Sequence, residues 1–534
     1  MTHPSPRHLM LFLLTLYGVT GGCMSPTLMP AEPMERVRAI PRRAAGPGAP
    51  GESRSVGSPR GLPHTNGAEH ENSHGLPSDP HEIATYDTDG DGRGDYAEQQ
   101  GPDGRVAVLH FDTNRDGELD LQVTLDQLDS SQSRELLIIL DSVPYQLVRA
   151  LRGEGRLRLF HEPSAIVAPF PVMTDLCLAE FFGVSPCLGI ESRYYDGRRL
   201  SRGVVTYFLE GNAPWLKHVD AYILPINHAY IYTAPETGYL HELYTIERAF
   251  FGSEQPAVCG YSVGASAMGS RMSEEGHRTL LEYVDRFCQS VMQRTRGQVR
   301  ITLMSDHGHN LTDSEPISLH KSLATMGYRD AKTLSEPGDV VIPRYGPVTC
   351  AGIYTREPDK VAADVVKIEG VDLSFYRSGD GIAVRSTAGR AYITRSGERY
   401  RYLVAGGDPL QLLPILERLR QEGKLDAAEY AGDTDWFAAT ADHTYPGPMY
   451  RLWRAFDGLM VHTPDVMVSL EDGYCYGTSM FNWFVRLKSA HGSLLRSSTH
   501  GFVMSTAGPL ADPIRMKDLA TELRNLGLNP RKAH

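Results

Sequence analysis

Residues 135–141 read ELLIILD, a continuous apolar run closed by an aspartate. That pattern predicts a strand buried on both faces. VRITLMSDHG, from Val299, repeats the form, and GDVVIPRYG (from Gly338) and DVMVSLEDG (from Asp465) predict further strands. Helical spacing of apolar positions lies between them, in HRTLLEYVDRFCQSVMQRT (from His277) and PLQLLPILERLRQE (from Pro409). Strands alternating with helices predict an α/β fold with a mainly parallel sheet. Ligands of such sheets sit at the C-terminal ends of strands, where Asp141, Asp306 and His307 fall. Residues from about 350 to 405 include GIAVRSTAGRAYITRSGERYRYL, which predicts a small β-rich insertion.

The N-terminal part has a different texture. Arg7 and His8 precede an apolar run from Leu9 to Val19, too short to span a bilayer. Thr20, Gly21 and Gly22 then precede Cys23, which resembles a bacterial lipobox with Cys23 as the lipidated residue. Residues 1–23 are therefore expected to be a lipoprotein signal peptide, and the protein an exported one anchored to a membrane through Cys23. Residues 24–80, rich in Pro, Gly, Ser, Arg and His without apolar periodicity, predict a disordered linker.

Residues 81–130 hold two loops with calcium spacing. DTDGDGRGDYAE places Asp87, Asp89, Asp91 and Asp95 at loop positions 1, 3, 5 and 9, Gly92 at 6 and Glu98 at 12. Calcium takes oxygen ligands at this alternation, with glycine at the sharp turn. DTNRDGELDLQV repeats it with Asp112, Asn114, Asp116, Gly117 and Asp120, but Val123 stands at position 12. The flanking segments alternate at period two instead of reading as helices, so the expectation is a small β module of calcium turns, similar to FG-GAP repeats, and not an EF-hand pair.

Composition narrows the rest. In 534 residues, 41% are hydrophobic and 22% charged, an ordinary globular balance. The net charge of −12 gives no basic patch for a nucleic-acid backbone. Apart from Cys23 there are six cysteines. Export permits disulfides, with Cys177 and Cys187 a plausible pair, while the absence of CxxC argues against a cysteine zinc site.

Four segments carry the chemistry: ILDSVPY with Asp141, PFPVMTDLCLAEFFG with Thr174, LMSDHGHN with Asp306 and His307, and SAHGSLLRSSTHGFVMSTAGPL with His491. In this order they resemble the alkaline phosphatase superfamily, nearest its nucleotide pyrophosphatase/phosphodiesterase branch, over about residues 134–530. The resemblance implies an alkaline-phosphatase-like three-layer sandwich and a two-zinc hydrolase of small phosphoesters. It also implies that Asp141, Asp306 and His307 ligate one metal beside the nucleophile Thr174, with a phosphothreonine intermediate. Ser142 follows Asp141, but the family places its nucleophile on the later segment. A sulfatase is excluded because neither CLAEF nor CLGIE supplies the C/S-x-P-x-R context.

The pattern breaks at the second metal. Relatives resemble Y-x-G-x-T-D-x-x-x-H where this chain reads GYSVGASAMGSRMSEEG. Ser266 and Ser270 then stand at the Asp and His positions, leaving His491 alone. No Asp lies between residues 253 and 284, so sliding the alignment does not restore the carboxylate. Three readings stay open: a one-metal site with residual activity, substitution by Glu274, His277, His309 or His500, or a binding protein of the same fold without turnover. The hydrolase is the leading expectation. Two further features, Asp433, Asp435, Asp442 and His443 in one segment and Arg193, Arg198 and Arg199 in another, read as surface loop and solvated charge, and the tyrosine-rich stretch from Asp220 reads as packing.

Overall fold

The computed structural model describes residues 83–88, 91–128, 131, 133–184, 186–201, 213–224, 228–477 and 487–530. The expected export segment with Cys23, the linker and Asp89 lie outside the described residues. Two compact units are separated: Ile83–Ala97 with His110–Leu121, and Glu98–Leu109 with everything from Gln122 onward.

Strands β1 (Ile83–Tyr86), β2 (Tyr96–Gln100), β3 (Val106–Phe111) and β4 (Leu121–Thr124) form a four-stranded sheet in that order. The two acidic loops are therefore flanked by strands. They share one wiring. Asp87 Oδ2 accepts from the Gly92 N–H at 2.8 Å, and Asp112 Oδ2 from the Gly117 N–H at 2.7 Å. Asp95 accepts from the amide and hydroxyl of Thr88, as Asp120 does from Thr113. Gly92 and Gly117 sit at φ 88° and 91°, a region only glycine enters without strain.

The α/β body is built on a six-stranded sheet. Its members are β5 (Arg134–Leu140), β6 (Ser164–Val167), β7 (Ala257–Ser262), β8 (Val299–Ser305), and, late in the chain, His500–Ser505 and Ile514–Arg515. Across the sheet the order is Ile514–Arg515, β6, His500–Ser505, β8, β5, β7. Five strands run one way, and His500–Ser505 lies antiparallel to both its neighbours. Both faces of β5 are buried, as its unbroken apolar run requires. Leu137 and Ile139 pack with Leu178 and Phe181 of helix α1 (Thr174–Phe182) and with Leu519 and Leu523 near the C-terminus. Two more helices matter to the site: α2 (Pro235–Phe251) and α3 (Gly264–Arg294), the latter interrupted at Ser273 with φ 54° and ψ −131°.

The strands expected at 339–341 and 466–470 form, but not in the parallel sheet. Both join a second, nine-stranded sheet with four hairpin-linked strands, Val371–Ser378, Gly381–Ser386, Gly389–Ser396 and Arg399–Gly406. Val466–Leu470 pairs antiparallel with both Cys350–Thr355 and Val371–Ser378. Short buried apolar runs do not state their partner, so sequence could not assign them to a sheet.

Two side-chain expectations are corrected. Cys177 and Cys187 are both free and buried: Cys177 faces the core against α1's neighbours, and the Cys187 thiol donates to the Asp175 carbonyl at 3.2 Å. Asp433 is not in a surface loop. It starts the helix Asp433–Thr440 and accepts a two-pronged contact from Arg515 at 2.6 and 3.1 Å. Among the described residues no helix is long and apolar enough to cross a membrane.

Candidate functional site

β5 and β8 are parallel neighbours in register, Leu140 opposite Ser305. They end level, so the next residues, Asp141 and then Asp306 and His307, emerge side by side at the C-terminal edge. Ligand atoms of these three, all buried, lie within 4.8 Å of one another. His307 Nε2 is 3.3 Å from Asp306 Oδ2 and 3.9 Å from Asp141 Oδ1. Thr174, first residue of α1, brings its Oγ1 to 3.5 Å from Asp141 Oδ1 and 3.4 Å from His307 Nε2.

The surrounding hydrogen bonds select which atoms stay available. His307 Nδ1 lies 2.9 Å from the Gly308 carbonyl, which can only accept, so Nδ1 carries the proton and Nε2 keeps its lone pair. His491 has the same arrangement, Nδ1 donating to the Val172 carbonyl at 3.0 Å. Its ring stacks on His307 at 4.1 Å, and it stands outside the three-residue group. Asp141 Oδ2 accepts from the Tyr261 hydroxyl at 2.6 Å. Asp306 Oδ1 accepts from the Ser142 and His307 amides, each at 3.0 Å, whereas its buried Oδ2 has no donor.

Electrostatics agree with this inventory. Burial, then the charge of Asp306, holds the Asp141 carboxyl well above the carboxylate range. Burial pushes Asp306 up to about 6 and His307 down to about 4. Burial and neighbouring His307 take His491 down to about 3. Among the described residues no lysine or arginine pairs with either carboxylate; their only ion-pair neighbour is His307. Two buried acids, a neutral imidazole with its lone pair inward and an orphaned carboxylate oxygen fit a divalent cation with mixed N/O ligands.

The remaining sequence candidates are elsewhere. Ser266 and Ser270 are buried on α3. Ser266 Oγ accepts from the Tyr232 hydroxyl at 3.3 Å, and the Ser270 carbonyl accepts from the Lys488 amide at 2.7 Å. Glu274 pairs with Arg278 on the surface. His277, His309 and His500 spend ring nitrogens on carbonyls and serine hydroxyls. Arg198 and Arg199 are exposed, as solvated charge is.

Sequence reasoning missed Tyr261, Tyr232 and Glu242. Glu242 accepts from the Ser262 hydroxyl and the Val263 and Gly264 amides at the start of α3, and burial raises it to about 8. Tyr261 precedes the strand end, where a side chain reaches across to Asp141; no spacing rule in the sequence announces that contact.

No family model matches the chain, and no curated protein matches it. Solved structures do. Murine ectonucleotide pyrophosphatase/phosphodiesterase 5 aligns at 11% identity and TM-score 0.38, covering 75% of this chain and 97% of its own. The human protein of that name gives 12% identity and 0.38, over 75% and 96%. Phosphonoacetate hydrolase from Sinorhizobium meliloti, in complex with phosphonoformate, gives 11% and 0.39, over 76% and 96%. Identification of the site rests on its own geometry, an α/β fold whose level strand ends gather two buried carboxylates, an imidazole and a threonine hydroxyl.

Proposed function

We propose that the chain is an exported, membrane-anchored lipoprotein whose α/β body is a metal-dependent hydrolase of small phosphoesters. One observation carries the catalytic part: Thr174 Oγ1 lies within 3.5 Å of both a carboxylate and an imidazole of a buried Asp141–Asp306–His307 group. Those three residues would hold zinc. A bound cation supplies Lewis acidity and lowers the cost of an ionised threonine oxygen. Thr174 attacks phosphorus, its proton leaves with the departing alcohol, and water then cleaves the phosphothreonine, releasing phosphate from a monoester or a phosphomonoester from a diester. Asp141 is kept in place by Tyr261, and Asp306 by the two amides at its Oδ1.

The test is hydrolysis of an aryl phosphodiester and an aryl phosphomonoester by the purified protein with added zinc, against Thr174→Ala. A second reading has its own observation: Ser266 and Ser270, buried on α3, offer neither the carboxylate nor the imidazole that a second metal beside His491 would need. In that reading the chain binds phosphoesters and does not turn them over. Metal stoichiometry separates the two, since two zinc ions per chain contradict the loss of the second site.

Cation binding is expected to depend on pH. The Asp306 carboxyl, raised to about 6, must lose its proton to ligate. Affinity therefore falls as pH drops through 6, by roughly fivefold between pH 6 and pH 5 for this one proton. Competition with a chelator dye at pH 7, 6 and 5 measures it; a flat profile removes Asp306 from the ligand set.

Calcium is proposed for the two wired loops, through Asp87, Asp89, Asp91, Asp95 and Glu98, and through Asp112, Asn114, Asp116 and Asp120. The role is rigidification. Calcium at about a hundred times its Kd should raise stability of the module by about 2.7 kcal/mol. Terbium luminescence, with Asp112→Ala as control, reads binding directly; an unchanged signal in the variant removes the second loop.

A further inference from the structure

Ser142, the residue after Asp141, lies at φ 64°, a region that any side chain with a Cβ enters at a cost. Every polar group of this buried residue is engaged. Its N–H donates to Asp306 Oδ1 at 3.0 Å. Its hydroxyl meets His309 Nδ1 at 2.7 Å, and its carbonyl meets His277 Nε2 at 2.9 Å. Both imidazoles are buried: His309 Nε2 meets the Ser489 hydroxyl at 2.9 Å, whereas His277 Nδ1 faces the Ser273 carbonyl at 3.0 Å, so a neutral His277 ring, with one N–H, donates to Ser142 or to Ser273 and not to both. Ser273 is the residue that interrupts α3. Gly269 makes room for this arrangement, because a Cβ there would stand 2.1 Å from His277 Cε1.

We propose that Ser142 is a positioning residue of the cation site. Its left-handed turn, held through its hydroxyl by His309, aims one N–H at Asp306 Oδ1. With the His307 amide on the same oxygen, the carboxylate cannot rotate, and Oδ2 is the atom presented beside His307 Nε2. The inference rests on the reading of Asp141, Asp306 and His307 as cation ligands.

The experiment is Co2+ binding to the full chain, followed by chelator competition and by the Co2+ absorption spectrum, with melting of the cation-free protein alongside. Ser142→Ala keeps the backbone strain and loses the bond to His309; Ser142→Gly loses both. The expected result is a Kd raised about tenfold by Ser142→Ala and by His309→Ala, the usual scale for removing support behind a ligand. Ser142→Gly should bind more tightly than Ser142→Ala, and adding His309→Ala to it should cost little more, because the imidazole then has no strained turn to hold. If His309→Ala does not fold, the alanine and glycine variants of Ser142 carry the comparison. Parent-like Kd and spectrum in Ser142→Ala, with only the melting temperature lowered, overturn the inference. A parent protein that takes up no Co2+ overturns the cation reading and this inference with it.

Discussion

Thr174→Ala is expected to lower phosphodiester hydrolysis by at least about 1,000-fold, the scale seen when a covalent nucleophile is removed from an otherwise intact site. Geometry supports so large a number. Thr174 Oγ1 faces both Asp141 Oδ1 and His307 Nε2, and Ser142, the neighbouring alternative, has its hydroxyl turned to His309. Removing Thr174 takes away no atom of the Asp141–Asp306–His307 group, so the cation should remain bound. Ser142→Ala provides the contrast: it should weaken cation binding and leave the rate at saturating metal far above that of Thr174→Ala. If Thr174→Ala and the parent hydrolyse at the same background rate, with cation bound to both, the chain is a binding protein of this fold.

The parts of this arrangement legible in sequence are those governed by local rules. Unbroken apolar runs ending in Asp141 and in Asp306–His307 signalled two parallel strands, and parallel strands deliver their ends to one edge. The two glycines at position 6 of the acidic loops signalled turns with positive φ, and both turns form. What sequence could not give depends on contacts between distant segments. Nothing in DVMVSLEDG says that its strand pairs with Cys350–Thr355 and not with β5. Cys177 and Cys187 are close in sequence, yet both are free: α1 turns Cys177 into the core, and the Cys187 thiol donates to the Asp175 carbonyl. Asp433 looked like loop because its partner Arg515 is 82 residues away. Ser142 drew notice as a nucleophile candidate, whereas its hydroxyl is engaged by His309, from the segment after β8.

Asp306→Asn is expected to abolish tight cation binding and, in the same protein, to stabilise the cation-free fold. The carboxyl's raised value of about 6, against 3.8, means that its charged form is penalised by about 3 kcal/mol inside the cation-free fold at neutral pH. The folded-state value lies above the unfolded one, so this penalty is absent below pH 3.8 and grows until pH passes 6. Two details favour asparagine over the acid. Oδ1 would go on accepting from the Ser142 and His307 amides, so the hydrogen bonds that fix the side chain survive. The other atom, an unpartnered oxygen 3.3 Å from an imidazole lone pair, becomes an NH2 that donates to His307 Nε2. An acceptor–acceptor contact is replaced by a hydrogen bond, worth about 1 kcal/mol beyond the relief of charge. Denaturant unfolding of both proteins in chelator at pH 7 should therefore place the variant above the parent, with the difference shrinking toward pH 4 as Asp306 takes up its proton. Saturating zinc should reverse the order, since the parent alone gains the binding free energy. A variant less stable than the parent under both conditions would mean that Asp306 serves the fold and not a cation. The opposite signs with and without metal are the mark of a residue whose cost to the fold is kept for its ligand.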